Sequence, residues 1–348
     1  MDLSVFDYNL PPELIAQTPA PQRDLARLLI TERNSGSIRE GSFADVAELF
    51  DPGDIIVLND TYVFPARLLG RKEPGGAAIE MLLLESLCEG KWEVIAYRAS
   101  RLKEGTRVVF SETFYCEVIK PLGDGKFQVQ FFWEGAWDDA LNQHGHIPLP
   151  PYIQREDNKT TPEDKKRYQT IFAKHNQTYD SAAAPTASLH FTDQVFSQLK
   201  KRGVETANLT LRIGLDTFLP IRCDTIEEHT IHSESYMVPH ETAERVNQAL
   251  QRGNRVIAVG TTAVRTLESA ATEDGLLQAG EGRSQLYIYP GYKFKIVKNM
   301  FTNFHLPRTT LILLVSAFMG TELWRDAYEH AIKNRFRFYS YGDSMLIL

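Results

Sequence analysis

The chain has 348 residues, enough for a large core and two domains, and its hydrophobic and charged fractions (43% and 24%) rule out a disordered or fibrous class. A net charge of −7 speaks against a protein whose main task is to coat nucleic acid. Three scattered cysteines, Cys88, Cys116 and Cys223, form no CxxC pair and give neither a disulfide framework nor a zinc site, so a reducing compartment fits.

The opening Met1-Asp2-Leu3-Ser4 carries no basic or apolar signal region. Further on, residues 55–58 read as a compact apolar strand after Pro52-Gly53. From about Ala77 to Gly135 the chain becomes a series of short strands, at residues 79–84, 92–99, 106–110, 115–120 and 127–133. Gly123-Asp124-Gly125 between the last two is a hairpin signal, and the spacing predicts a small β-barrel. The remainder reads as α/β. Residues 241–252 form a helix with Ala243, Val246 and Leu250 on one face, and residues 255–259 a buried strand followed by a second helix. Another strand is predicted at 285–289, closed by Pro290-Gly291. Residues 311–319, apolar nearly all round, make a buried helix or strand, far short of the ~20 residues a membrane span needs. The expected architecture is an α/β main domain (a mixed sheet with helices, residues 1–74 and 148–348) with a small all-β barrel inserted at 75–147. The junctions fall near Pro74-Gly75-Gly76 and near Pro148, Pro150 and Pro151. A cytoplasmic, monomeric protein without membrane attachment is expected.

Five segments carry chemistry. In residues 256–265 a strand turns at Gly260 into a helix that Thr261 or Thr262 can cap, with Arg265 placed to clamp a carboxylate or phosphate or else to form a structural ion pair. This is neither a GxGxxG fingerprint nor a phosphate-binding P-loop. In Ala184-Pro185-Thr186-Ala187-Ser188-Leu189-His190-Phe191-Thr192, small residues precede an imidazole that can move a proton and a ring that can stack on adenine; the alternative is a packed loop. Glu227-Glu228-His229-Thr230-Ile231-His232-Ser233-Glu234 offers two imidazoles at i,i+3, which on one helix face could serve as acid and base, but lacks the HExxH metal pattern. Thr302-Asn303-Phe304-His305-Leu306-Pro307 is a polar loop at the edge of the most apolar segment. The C-terminus, aromatic and apolar to Leu348, reads as docked, with Asp343 as its polar exception and a candidate base. Five basic trios are scattered along the chain: Arg67, Arg71 and Lys72; Lys165, Lys166 and Arg167; Lys200, Lys201 and Arg202; Lys293, Lys295 and Lys298; Lys333, Arg335 and Arg337. They would track phosphates only if several shared one face.

Taken in order, these strings resemble the S-adenosylmethionine:tRNA ribosyltransferase-isomerases of queuosine synthesis. Asn59-Asp60-Thr61 with Pro65-Ala66-Arg67-Leu68 is similar to the family's NDTxVxPARL signature. His146-Ile147-Pro148-Leu149-Pro150-Pro151-Tyr152, Tyr168-Gln169-Thr170, the strings at 184–192 and 302–307, His232-Ser233-Glu234, Tyr289-Pro290-Gly291-Tyr292 and Ser340-Tyr341-Gly342-Asp343 continue the match. The resemblance implies an α/β domain with an inserted β-barrel. It implies S-adenosylmethionine as a ribosyl donor and no bound cofactor or metal. The acceptor it implies is 7-aminomethyl-7-deazaguanine at the wobble position of queuosine-family tRNAs, with epoxyqueuosine, adenine and methionine as products. Candidate catalytic groups are His190, His229, His232, Glu234, His305, Asp343 and Asp60. Candidate substrate-binding residues are Arg67, Tyr168, Pro185, Thr186, Phe191, Arg212, Asp216, Gly260, Thr261, Thr262, Arg265, Tyr289, Asn303 and Tyr341. Where the family carries HVGxGTFxPV this chain has Arg212-Ile213-Gly214-Leu215-Asp216-Thr217-Phe218-Leu219-Pro220-Ile221, and Ser188 replaces a preferred glycine. Arg212 stays protonated and cannot act as a base. A non-catalytic tRNA-binding paralogue and an S-adenosylmethionine-dependent transferase with another acceptor are the alternatives.

Overall fold

The computed structural model describes residues 1–97, 102–156, 160–214, 221, 223 and 225–348. Sixteen strands appear among these residues: β1 (Arg27–Glu32), β2 (Ser37–Ser42), β3 (Ile55–Asn59), β4 (Arg67–Glu73), β5 (Ala78–Cys88), β6 (Lys91–Tyr97), β7 (Arg107–Val109), β8 (Tyr115–Gly123), β9 (Lys126–Phe132), β10 (Gly145–His146), β11 (Glu205–Leu211), β12 (Glu234–Val238), β13 (Val256–Val259), β14 (Gly280–Ser284), β15 (Asn299–Asn303) and β16 (Ser344–Ile347). The helices are α1 (Trp137–His144), α2 (Pro162–Arg167), α3 (Asp193–Arg202), α4 (His240–Gln251), α5 (Gly260–Ser269), α6 (Thr310–Met319) and α7 (Thr321–Lys333).

Nine strands form one mixed sheet in the order β14-β12-β11-β3-β13-β15-β16-β1-β2. Its centre is parallel: β3 pairs with both β11 and β13, and β13 with β15. Central strands must be apolar on both faces, and β3 and β13 are buried at every position. Because side chains alternate, Ile55, Val57, Val256 and Ala258 enter one core with α4, α5, α6 and α7. Ile56, Leu58, Ile257 and Val259 enter the opposite core with α3 and residues 43–50. The result is a three-layer α/β/α sandwich. Local signals set its boundaries: Thr192 caps α3 by accepting from the Val195 N–H at 3.2 Å, and Gly203 ends it at φ +79°. Residues 311–319 lie in α6, whose apolar surface is enclosed nearly all round.

The second sheet runs β10-β4-β5-β6-β9-β8-β7, and a β4–β7 pairing closes six of its strands into a barrel. Burial alternates along β6 and β9, as an inside-outside pattern requires. The barrel takes in β4, which the sequence reading left in the α/β part. Pro74-Gly75-Gly76 lies in the β4–β5 hairpin connection rather than at a junction: the Gly76 N–H donates to the Lys72 carbonyl at 2.9 Å, and Arg71 pairs with Ala78. The strand expected at 285–289 is absent. The ladder with β12 stops at Ser284, after which the Leu286 N–H turns back onto Ser284 Oγ (3.3 Å) and Ile288 enters the core. No helix among the described residues is long and apolar enough to cross a membrane.

The C-terminal strand β16 lies inside the main sheet, antiparallel to β15 and parallel to β1. Met345, Leu346 and Ile347 are each fully buried. Their burial contributes roughly 5 kcal/mol, a large part of a domain's net stability. A chain ended at Asp343 is therefore expected to be insoluble or non-cooperative in thermal melts, whereas removal of Leu348 alone should leave a sharp transition. Gly342→Ala would set a Cβ 2.4 Å from the Arg337 carbonyl oxygen, and is expected to lower stability by about 2 kcal/mol in urea titration.

Candidate active site

The carboxyl ends of the parallel strands β13 and β15 lie side by side, the edge of an α/β sheet where ligand sites form. At the end of β13 the chain must turn at once into α5. Gly260 does this at φ +84°, a left-handed conformation costly for residues with a Cβ, and a Cβ there would touch Ala187 at 3.5 Å. The small residues of the 184–187 string thus lie against the start of α5. A pocket of about 50 Å³ opens at this edge. Residues 184–187, residues 260–262, Thr302, Asn303, His305, Leu306, Tyr339 and Ser340 line it, joined by Tyr152 and Ile213. Four segments separated by up to half the chain therefore meet on one cavity.

Its walls hold polar atoms without protein partners. Thr262 Oγ1 and the Tyr339 hydroxyl are buried with no hydrogen bond among the described residues, while the Asn303 amide donates to the Tyr339 carbonyl at 2.8 Å. Buried polar groups are normally satisfied, so Thr262 and Tyr339 mark where a ligand can bond. Tyr339 itself sits at φ +75°, rare for a residue with a side chain, and its burial pushes the phenol upward, keeping it a proton-bearing donor. Tyr152, whose ring packs against that of Tyr339, bonds Ser340 Oγ at 2.5 Å. His305 Nε2 lies 2.7 Å from Thr302 Oγ1, and the His305 main-chain N–H donates to the Tyr328 hydroxyl at 3.1 Å. Burial moves the His305 imidazole down to about 3, so it is neutral at pH 7.

Of the residues singled out from the sequence, Pro185, Thr186, Gly260, Thr261, Thr262, Asn303 and His305 meet at this pocket. Others do not. Phe191 is fully buried against Phe43, Phe196 and Phe301, so it packs the core rather than offering a face to adenine. Tyr168 is likewise enclosed, edge-on to Tyr341. Thr261 and Thr262 lie within α5 instead of capping it; the cap position is Val259, without a side-chain bond. Arg265 forms a buried ion pair with Glu234, whose other oxygen accepts from the Gly214 N–H at 3.2 Å. The guanidinium thus already clamps a carboxylate, that of the protein itself. Asp343 gives one oxygen to the Arg27 N–H (3.0 Å) and the other to the Arg337 N–H (2.8 Å), and is spent on backbone. Asp60 accepts from Thr210 Oγ1 at 2.7 Å and faces Lys174 at 3.2 Å. Arg67 pairs with Glu80 at 2.6 Å in the barrel.

His229 and His232 do not share a helix face, because the helical turn ends at Glu228. His229 packs edge-on against Tyr287, which also contacts Tyr289, and His232 is exposed. His190, fully enclosed and moved by burial down to about 4, lines a separate small notch together with Tyr341. Asp216 lies outside the described residues. Tyr152, Tyr339 and Ser340 also line the pocket, and no sequence signal singles them out, because aromatic residues before a terminal strand read equally well as core.

Beside the pocket, where Arg212 and Ile213 leave β11, a larger cleft of about 750 Å³ separates the barrel from the main sheet. Trp92, Trp133 and Trp137 line it with Asp138, Asp180 and Arg212. The Arg212 guanidinium donates to the Leu84 carbonyl of β5, tying the barrel to the main sheet. Asp216, its proposed partner, cannot be placed.

The buried imidazoles make stability depend on pH. Their folded values of about 4 and 3 lie below the ~6.5 of an unfolded histidine, so the unfolded chain binds more protons in this range. Their contribution is complete above pH ~6.5 and is lost as the pH falls, through 4 for His190 and 3 for His305. Each is expected to cost about 2 kcal/mol by pH 5. Urea titrations at pH 7.5 and 5 should register this loss, and a His305→Gln chain should have the flatter profile.

A protein-family model described as "Queuosine biosynthesis protein" matches residues 3–347. Among similar proteins, the S-adenosylmethionine:tRNA ribosyltransferase-isomerase of Halothermothrix orenii is 46% identical, with 100% of both chains covered. The protein of the same name from Natranaerobius thermophilus is 48% identical, covering 100% of this chain and 99% of its own. The crystal structure of S-adenosylmethionine tRNA ribosyltransferase from Thermotoga maritima is 36% identical, covers 99% of this chain and 100% of its own, and superposes with a TM-score of 0.56. Together with the barrel closed by β4 and β7 and the motif segments gathered at one sheet edge, these matches place the chain in the queuosine biosynthesis protein family.

Proposed function

We propose that this protein is an S-adenosylmethionine:tRNA ribosyltransferase-isomerase. It moves the ribosyl part of S-adenosylmethionine onto 7-aminomethyl-7-deazaguanine at the tRNA wobble position and releases adenine and methionine, leaving epoxyqueuosine. The observation that carries the reading is the convergence of residues 184–187, 260–262, 302–306 and 339–340 on one pocket, in a chain whose relatives bear that name along their whole length. The protein works as a cytoplasmic monomer with no resident cofactor or metal.

The residue chemistry fits the steps. A sulfonium acidifies the adjacent 5′ C–H, so a modest base suffices to take that proton, and the neutral His305 imidazole is the candidate at the pocket wall. The Tyr339 phenol, raised and unpaired, is the candidate donor of a proton to departing adenine. The carbanion pair on C5′ opens the C4′–O4′ bond, and the O4′ pair forms a C1′ carbonyl as adenine leaves with its proton. The aminomethyl nitrogen then adds to C4′ and gives up a proton to water, the pair returned to C5′ closes the ring on C1′, and the resulting alkoxide displaces the sulfur from C5′, closing the epoxide as methionine leaves with the C–S bonding pair. With Arg265 held by Glu234, the methionyl carboxylate falls to the free N–H groups at the start of α5, beside Thr261 and Thr262. The larger cleft, aromatic and edged with carboxylates, suits a flat cationic acceptor base.

The test is turnover with S-adenosylmethionine and tRNA bearing 7-aminomethyl-7-deazaguanine, with adenine quantified and digested nucleosides weighed. Stoichiometric adenine and epoxyqueuosine are expected. A folded chain that binds tRNA but releases no adenine would leave the non-catalytic paralogue standing, and adenine release with another nucleophile would point to a different acceptor. Asn303→Ala and Thr262→Val are expected to slow adenine release by about tenfold or more, since each removes a buried polar contact. The melting curve of Thr262→Val should stay close to that of the unmodified chain, whereas Asn303→Ala also loses the amide's 2.8 Å bond to the Tyr339 carbonyl and should melt lower.

A further inference from the structure

Two of the five basic trios meet at one place. The Arg167 guanidinium donates to the Ala20 and Pro21 carbonyls at 2.6 and 3.3 Å, and Arg337 donates to the Thr18 carbonyl. Arg23, on the same stretch of chain, donates to four main-chain carbonyls: Gln169 at 2.8 Å, Lys166 and Leu189 at 3.0 Å, and Arg167 at 3.4 Å. Carbonyls fix a guanidinium in place but do not cancel its charge. Among the described residues neither the Arg23 nor the Arg337 guanidinium has a carboxylate oxygen within 4.0 Å, although Asp343 accepts from the Arg337 main-chain N–H at 2.8 Å; Arg167 has the largely exposed Glu163 at 3.5 Å.

Arg23, Arg167, His190, Ser340 and Gly342 line a notch of about 20 Å³. Arg167 Nε is buried and unpaired among the described residues, and His190, 5% exposed, closes the notch. Arg23, Arg167 and Arg337 outnumber the Glu163 and Asp343 carboxylates beside them, and this net positive field around a buried unpaired nitrogen calls for an oxyanion. The notch has room for about one water-sized group, hence for an oxygen of a phosphate and not for a ring. Ser340 lines both this notch and the main pocket, so the anion would sit beside the transfer site. Lys165, Lys166, Lys333 and Arg335, all exposed, carry positive charge outward from it, which suits a polyanion better than a single carboxylate.

We propose that the notch between Arg23, Arg167 and His190, with Arg337 behind it, holds one backbone phosphate of the acceptor tRNA next to the nucleotide being modified. The inference rests on the proposed function and names which basic surface meets the nucleic acid.

The test uses the full chain and an anticodon stem-loop of a queuosine-family tRNA, with affinity measured across a salt series and S-adenosylmethionine binding measured separately by calorimetry. Arg167→Gln and Arg337→Gln are each expected to weaken RNA binding by about tenfold and to lower the salt slope by about one, with S-adenosylmethionine affinity unchanged. Replacing each phosphate in turn by a neutral methylphosphonate should reveal a position that weakens binding to the unmodified chain but not to Arg337→Gln. Arg337→Lys, which keeps the charge, guards against a folding defect and should recover part of the loss. RNA affinity and salt slope unchanged in all variants would overturn the site. Loss of S-adenosylmethionine affinity alone would assign the notch to the methionyl carboxylate and overturn it too. Failure of the unmodified chain to bind any tRNA would instead remove the proposed function.

Discussion

The buried carboxylate of Asp343 holds two distant pieces of backbone at once, the Arg27 N–H at the start of β1 and the Arg337 N–H before the C-terminal strand. Much of the architecture depends on that clamp. It lets β16 enter the sheet between β15 and β1, so the last residues of the chain are central rather than peripheral. It also fixes the loop 337–342 in a tight course, where Gly342 packs against the Arg337 and Phe338 backbone with no space for a methyl group. That loop delivers Tyr339 and Ser340 to the pocket and Tyr341 to the notch. A carboxylate that reads from the sequence as a candidate base is, in the fold, the group that positions candidate donors. Burial raises its pKa while the two N–H bonds and the nearby arginines oppose that rise.

The same economy governs Arg265 and Glu234. Both are buried, and an arginine without a partner there would carry a large desolvation penalty, so the pair is held together with Gly214 as a third member. This joins α5 to β12 and leaves the first turn of α5, not the arginine in its second turn, facing the pocket. The proposed function therefore assigns anion recognition there to peptide N–H groups, which are fixed by the helix and need no counter-charge. Arg212, at the end of β11, reaches instead to Leu84 of the barrel, so the departure from the family's usual histidine becomes a strap between the two sheets. The cleft between those sheets is thereby bounded by a charged contact as well as by tryptophans.

The amino-acid sequence by itself determined the two sheets and their kind. The apolar runs at 55–58 and 256–259 read as buried strands, and the short, evenly spaced runs between Ala77 and Gly135 as a small β-barrel, because the period of side-chain burial follows from backbone geometry alone. It also marked strings at 184–187, 260–262 and 302–306 that the fold gathers at one pocket, since small residues beside imidazole and threonine are a poor way to fill a core. Tertiary structure decided how those strings are used. Whether Phe191 stacks on a ligand or on Phe301, whether Arg265 meets a substrate or Glu234, and whether Asp343 takes a proton or two N–H bonds depends on neighbours brought up by the fold from other elements. The boundary of the barrel was hidden for a similar reason: β4 joins it through the hairpin with β5 and closes it by pairing with β7, the latter a contact across the sequence that no local pattern encodes. Local periodicity is written into adjacent residues, whereas the partner of a buried polar group is chosen by the packing of the whole chain.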